Sequence, residues 1–338
     1  MNRPNFPKIE LHLHLDGAVP PELMWDMARE QGVALPTDTL EAFYAWLRKT
    51  ADCRDVNTYL ERFELPLSIM QDAASLTRIT AAVLDVLAAQ GHIYDEVRFA
   101  PQLHTRAGLT QRDAVQAVLE GRRQALARHP GYGCGILLCA MSVGPETVNM
   151  AENLETVRLV KDYLGSGVAG LDLAGAEGIV PLWNFHPVFD LARKLDVPFT
   201  CHAGDSQGPD TVRDALDFGA KRIGHGHHIY DDPSLWPRAI AAGVTLEVCP
   251  TSNIQCKTQP SYAAHPAKKL LDAGLRVTIS TDNMTLAATT LDEEYRHCVD
   301  EMGFTPHDLV QMNLYAAEAA FLSDTARAAL IETLKAYL

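Results

Sequence analysis

Short apolar runs rich in β-branched and aromatic residues alternate along this chain with longer stretches whose apolar positions recur every three or four residues. The short runs predict strands at 8–15, 94–100, 134–140, 167–174, 197–202, 222–225, 245–249 and 276–282. The longer stretches predict helices between them. Residues 111–128 put Ala114, Val115, Val118, Leu119 and Leu126 on one face, and 208–219, 232–242 and 264–273 each end at or near a glycine. Strand–helix alternation implies a parallel sheet, and eight such units suffice to close a (β/α)₈ barrel of the TIM type. About 80 residues separate the first two strands, too many for one crossover. Residues 20–33 and 56–91 look helical, so a helical cap over about 20–91 is expected. The tail, 306–338, reads as two closing helices. No Gly/Ser linker divides the chain, and one barrel domain over 1–338 is expected.

Composition narrows the class. Apolar residues make up 47% of the 338 and charged residues 21%, an ordinary globular balance. The formal net charge is -14 and no basic run occurs, which disfavours a nucleic-acid polymer or an anionic membrane as partner and leaves small neutral molecules open. The seven cysteines form no CxxC pair and mostly sit in or beside apolar runs, as free thiols in a reducing compartment do. The first residues hold no apolar run of signal-peptide length, and no stretch approaches 18 uninterrupted apolar residues. A cytoplasmic location is expected; nothing here fixes an oligomeric state.

Titratable residues recur at the C-terminal ends of the strands, the face where catalytic groups of such barrels lie. The first strand ends His12-Leu13-His14-Leu15-Asp16-Gly17. Side chains two apart on a strand share a face, so His12 and His14 form either half a metal site or a pair of buried, hydrogen-bonded histidines. The fifth strand adds His202 and the eighth adds Asp282, completing a three-histidine, one-carboxylate set suited to catalytic zinc. His225, ending the sixth strand, can polarise a water; His227 and His228 read as loop residues. The fourth strand, Gly170 to Gly175, lacks a lysine that could bridge two metals, which favours one ion.

These motifs, in order KIELHLHLDGAVPPE, YDEVRFAP, GLDLAGAEG, HAGD, RIGHG, LEVCPTSN and STDN, resemble the adenosine deaminase family of the amidohydrolase superfamily over nearly the whole chain. The resemblance implies zinc held by His12, His14, His202 and Asp282, with His225 orienting the attacking water. It assigns substrate contacts to Asp16 (ribose), Gly175 (backbone to the purine ring), Asn283 and His14. It implies hydrolysis of adenosine or deoxyadenosine at C6, giving inosine or deoxyinosine and ammonia.

Two positions depart from the family pattern. Asp205 stands where HAGE would supply a glutamate as proton shuttle, and Asn283 follows Asp282 where many members carry a second aspartate. Asp is one methylene shorter, a retreat of about 1 Å, and misplacement on that scale can cost about 100-fold in rate. The strand end shifts to restore reach, or the substrate differs (adenine, a modified adenosine, an aminofutalosine-type nucleoside), or the chain is a weakly active nucleoside binder. As the acid that protonates purine N1, Asp205 needs burial to raise its pKa. Glu177, two residues past Gly175, is either a remote backup acid or a loop cap. Tyr59, Phe63, Leu65 and Leu67 of the cap either line the purine pocket or pack as core.

Overall fold

The computed structural model describes residues 6–144 and 147–338. The first five residues, part of the stretch read above for a signal sequence, lie outside that range. Eight parallel strands alternate with helices in a (β/α)₈ barrel: β1 (Lys8–His14), β2 (His92–Phe99), β3 (Gly133–Ser142), β4 (Val168–Gly175), β5 (Thr200–Ala203), β6 (Arg222–His225), β7 (Thr245–Val248) and β8 (Arg276–Ile279). They pair as two sheets, β1-β2-β3-β4 and β5-β6-β7-β8. Single parallel bridges join the sheets, Leu171 with Phe199 at one seam and Leu13 with Asp282 at the other.

All eight expected strands are present, and all but two of their ends fall within two residues of those the apolar pattern suggested. β5 starts at Thr200 rather than 197, and β8 stops at Ile279 rather than 282. Pro198 cannot donate to the ladder, which trims the first; its carbonyl still accepts from Leu171 N–H at 3.0 Å. The second ends because Asp282 takes a left-handed backbone, φ 63°.

Local chemistry sets the helix ends. The helix Gln111–Arg128 opens on a capping box of Thr110 and Asp113 and buries Ala114, Val115 and Val118. The helix Pro209–Phe218 begins with proline and stops at Gly219, φ 85°. The cap holds helices Pro21–Gln31, Val56–Leu60, Glu64–Ser68 and Ala73–Ala89, the last three divided by a 3-10 turn at Glu61–Phe63 and a break at 69–72. It also holds Leu40–Ala51, which the reading above omitted. The tail forms the helices Pro306–Ala319 and Asp324–Lys335, which pack with Ile9, Leu11 and Tyr94 in a second apolar cluster. All seven cysteines are buried and free. Among the described residues no helix is long and apolar enough to cross a membrane.

Candidate functional site

The backbone brings the first three candidate ligands together before any side chain is considered. Asp282 N–H donates to the His12 carbonyl at 3.0 Å, and His14 N–H donates to the Asp282 carbonyl at 2.8 Å. Asp282 is thereby locked between two histidines that are 270 and 268 positions away in sequence. His202, on β5, completes the group across the barrel mouth. His14 Nε2 lies 3.4 Å from Asp282 Oδ1 and 3.3 Å from His202 Nε2, and His12 Nε2 is 3.4 Å from Asp282 Oδ1. Ligand atoms of all four residues lie within 4.8 Å of one another.

Carboxylates behind the imidazoles fix their tautomers. His12 Nδ1 donates to Glu247 Oε2 at 2.9 Å, and His202 Nδ1 lies 3.0 Å from Asp172 Oδ2. Each ring thus keeps a bare Nε2, and that of His12 is buried without a partner. His14 Nε2 faces His202 Nε2 at 3.3 Å, so the ring Nε2 atoms and Asp282 Oδ1 are directed at one spot. An ion bound at about 2.0–2.2 Å in tetrahedral geometry separates its ligands by about 3.4 Å, close to the spacings found. The donor set therefore fits a divalent metal such as zinc.

A buried ionic lattice holds those carboxylates. Arg98 donates to Asp172 Oδ2 at 2.8 Å and to Glu247 Oε2 at 2.7 Å, while Arg222 donates to Glu247 Oε1 at 2.6 Å. Burial alone would raise the pKa of Glu247, but Arg98 and Arg222 outweigh it and hold the group below the usual carboxylate range. For Asp172 burial is likewise outweighed, by His202 and Arg98. Sequence reasoning missed this lattice, although a charged residue inside each apolar strand (VRFA, GLDLA, LEVC) was the available signal. It also missed Ser252, whose hydroxyl donates to Asp282 Oδ2 at 2.7 Å, and Asn253.

Beside the four-residue group stand Asp205 and His225. His225 ends β6 with φ 60°, strain of the kind that gathers at functional sites. Its ring centroid is 4.8 Å from that of His12. A β-carbon at the preceding Gly224 would come within 2.9 Å of His12 Cε1, so only glycine lets the rings converge. Asp205 Oδ1 accepts from Asn253 Nδ2 at 2.7 Å, and burial, with Asp282 adding to it, pushes its pKa up to about 6. Burial depresses that of His225 to about 3. Glu177 does not reach the cavity. It accepts backbone N–H groups from Gly204 (2.7 Å), Asp205 (3.0 Å), Ser206 (2.7 Å) and Gln207 (3.0 Å), and so ties down the loop that carries Asp205.

These groups open into a cavity of about 350 Å³. Asp16, His14, Gly175 and Asn283 line it, as do Tyr59, Phe63 and Leu67 from the cap. Leu65 does not; it faces a separate surface cleft with Trp46 and Arg62. Asp16 is buried, which raises its carboxyl pKa to about 6. Asn283 Oδ1 is buried with no protein partner. Gly175, φ 106°, brings the wall close, since a β-carbon there would lie 2.4 Å from the Ser142 carbonyl oxygen. His227 and His228 lie on a 3-10 turn outside the four-residue group.

Comparison with known proteins agrees with this geometry. The family described as adenosine deaminase matches residues 7–337. An adenosine deaminase of Haemophilus ducreyi is 40% identical over 326 residues, covering 96% of this chain and 94% of that one. Three solved structures superpose on 98% of the chain. An adenine deaminase from Arthrobacter aurescens has TM-score 0.87 at 25% identity, with 98% of its own chain covered. An N6-mAMP deaminase from arabidopsis has TM-score 0.85 at 26% identity, also with 98% covered. An amidohydrolase from Burkhoderia ambifaria with bound zinc has TM-score 0.85 at 26% identity, with 93% covered.

Proposed function

The chain belongs to the adenosine deaminase family, and from that premise we propose that it hydrolyses adenosine or deoxyadenosine to inosine or deoxyinosine and ammonia, with one zinc ion per chain. It is an aminohydrolase, and the substrate and the assignment of residues are our reading. The observation that carries it is the convergence of His12, His14, His202 and Asp282, in one cavity, beside a partly buried Asp205 whose carboxyl pKa is pushed up to about 6.

In this reading His12, His14, His202 and Asp282 hold the ion. Zinc, when bound, acidifies water enough to supply a nucleophile at neutral pH. His225 and Asp282 orient the attacking water toward C6. Asp205 gives a proton to purine N1, which makes C6 more electrophilic. A carboxyl with an ordinary pKa near 4 holds few protons at pH 7, and the rise to about 6 brings Asp205 closer to the working range. Asp16 and His14 contact the ribose side, Gly175 and Asn283 the base. The cap residues Tyr59, Phe63 and Leu67 exclude water.

No lysine or arginine lines the cavity among the described residues, while Asp16, Asp205 and Asp282 do. A nucleotide phosphate would find no counter-charge there, which favours a nucleoside or free base and argues against a nucleic-acid polymer. A second reading, another 6-aminopurine such as adenine, draws support from the short Asp205 and the likeness to an adenine deaminase. The deciding measurement is metal content together with ultraviolet assays on adenosine, deoxyadenosine, adenine and AMP. Adenosine turnover that is lost on chelation and restored by zinc is expected. Indifference to chelator, or turnover of adenine with adenosine untouched, would overturn the leading reading.

A further inference from the structure

Behind Asp205 and His225 runs a hydrogen-bond chain whose direction is set at its far end by a backbone amide. Ala267 N–H donates to His265 Nδ1 at 3.2 Å. A main-chain amide can only donate, so His265 Nδ1 carries no proton. His265 is buried, and burial depresses its pKa to about 3, so the ring is neutral with a single N–H on Nε2. That N–H lies 3.2 Å from Asn253 Oδ1 and donates to it. The Asn253 amide can then point only one way. Its Nδ2 hydrogens go to Asp205 Oδ1 at 2.7 Å and to His225 Nδ1 at 3.1 Å. The flipped amide would set its oxygen against the Asp205 oxygen and its N–H against the N–H of His265.

The last link assigns the ring of His225. Its Nδ1 accepts from Asn253, so its one proton sits on Nε2, the nitrogen left for the cavity the residue lines. Asp205 Oδ1 is likewise occupied, by Asn253 and, at 3.3 Å, by the Thr258 hydroxyl. Its other oxygen stays free for a proton.

Resting on the deaminase reading above, we propose that Asn253, oriented by His265, is a positioning residue that fixes His225 as the Nε2–H tautomer and leaves Asp205 one working oxygen. His225 then meets the attacking water only as a hydrogen-bond donor. It cannot take the proton the water gives up, because the nitrogen facing the water already holds one. As the water bonds to C6, that proton passes to the free oxygen of Asp205, which has by then given its first to purine N1, and from there to the departing amine; the water's second proton returns to Asp205 as the C6 carbonyl forms and ammonia leaves. Two residues thus receive separate duties from one amide.

The test is the ring state of His225 in the zinc-loaded full chain, read from long-range proton–nitrogen correlations of ¹⁵N-histidine protein and assigned by comparison with His225→Ala. This readout does not depend on turnover, so failure of the tautomer claim and failure of the deaminase reading are separable. The parent should show the Nε2–H tautomer. Asn253→Asp, which accepts where the amide donated, should move His225 to the Nδ1–H tautomer. It should also lower kcat about 100-fold or more with zinc content unchanged. His265→Gln keeps a donor for Asn253 and should retain the parent tautomer with kcat within about tenfold, whereas His265→Leu should lose both. A parent His225 protonated on Nδ1, or an Asn253→Asp chain with tautomer and kcat unaltered, overturns the proposal. Should Asn253→Asp not fold, the parent spectrum and the two His265 variants decide it.

Discussion

The two four-stranded halves of the barrel are built differently. Strands β1 to β4 run seven, eight, ten and eight residues, whereas β5 to β8 run four each. His202, Asp205, His225, Ser252, Asn253 and Asp282 all sit in or just after the short strands. The long half supplies His12, His14 and Asp16, the cavity wall at Gly175, and the acceptors that replace missing ladder bonds. Glu177 follows β4 and collects the amides of the loop after β5; the His12 carbonyl collects Asp282. Polar side chains converge where regular pairing stops early, and the regular half keeps them in place.

Breaking the seam where the halves meet should have the largest effect. Asp282→Ala removes the carboxylate of the proposed ligand group while its backbone bonds to β1 can persist. Turnover should fall at least about 1,000-fold, the scale of losing metal assistance worth several kcal/mol. Zinc stoichiometry by elemental analysis should fall with it. Full zinc content with near-parent turnover would remove Asp282 from the ligand set.

Next comes the buried lattice that spans both halves. Asp172→Asn leaves Glu247 as the one carboxylate on Arg98 and removes the negative charge, and one of the two acceptor oxygens, facing Arg98 and His202 Nδ1. Zinc affinity should drop about 10- to 100-fold, and stability by about 3–5 kcal/mol, as when one partner of a buried ion pair is removed. Competition with a chelator and urea unfolding give the two values. A chain as stable as its parent would mean that Glu247 alone balances Arg98.

Glu177→Gln sharpens the comparison by loosening one loop of the short half while leaving the ligand group untouched. An amide has one acceptor oxygen for four backbone N–H groups, and the Asp205 loop should back away. A shift of about 1 Å predicts a kcat about 10- to 100-fold lower, at unchanged zinc content. Parallel loss of zinc would show that the loop also shapes the metal group.

The same contrast explains what could be read from the sequence. Apolar runs marked all eight strands, and histidines and carboxyls at their ends marked the residues that converge, because strand direction alone puts those ends at one mouth. Asp282 was expected inside β8, but the strand stops at Ile279 and a left-handed turn delivers the residue to β1. That turn depends on closure of the ring and leaves no local mark. Arg98, Asp172 and Glu247 were visible as charges in apolar strands, yet their pairing joins residues 74 and 149 positions apart. Asn253 shows no pattern until His265 and Ala267 stand behind it. Leu65 failed as a pocket residue because the cap breaks into short helices there, turning it away from the cavity.

The smallest expected effect lies in the support of the short half. Glu294 opens the helix Leu291–Asp300 and accepts from Thr251 N–H, just past β7, at 3.2 Å and from the Thr289 hydroxyl at 2.9 Å. It is wholly buried, and burial, against the pull of those two bonds, raises its pKa from 4.5 to about 7. Below about pH 4.5 the carboxyl is protonated in the folded and the unfolded chain alike, and its contribution to stability is fully present. Above pH 4.5 the unfolded chain ionises while the folded chain keeps its proton, so stability falls until the pH passes about 7, where the folded chain too carries the buried charge. Glu294→Gln keeps an acceptor for Thr251 and lets Thr289 turn its hydroxyl, without a group to ionise. At pH 8 the variant should be more stable than the parent by on the order of 1–3 kcal/mol, with the gap closing toward pH 5. Turnover at saturating substrate should stay near the parent value, since Glu294 does not line the cavity. Urea midpoints at pH 5, 6.5 and 8 give the answer. Parallel curves for the two chains would mean that the amides after β7 already offset the buried charge, and that the short half is held as firmly by its own loops as by the helix beneath them.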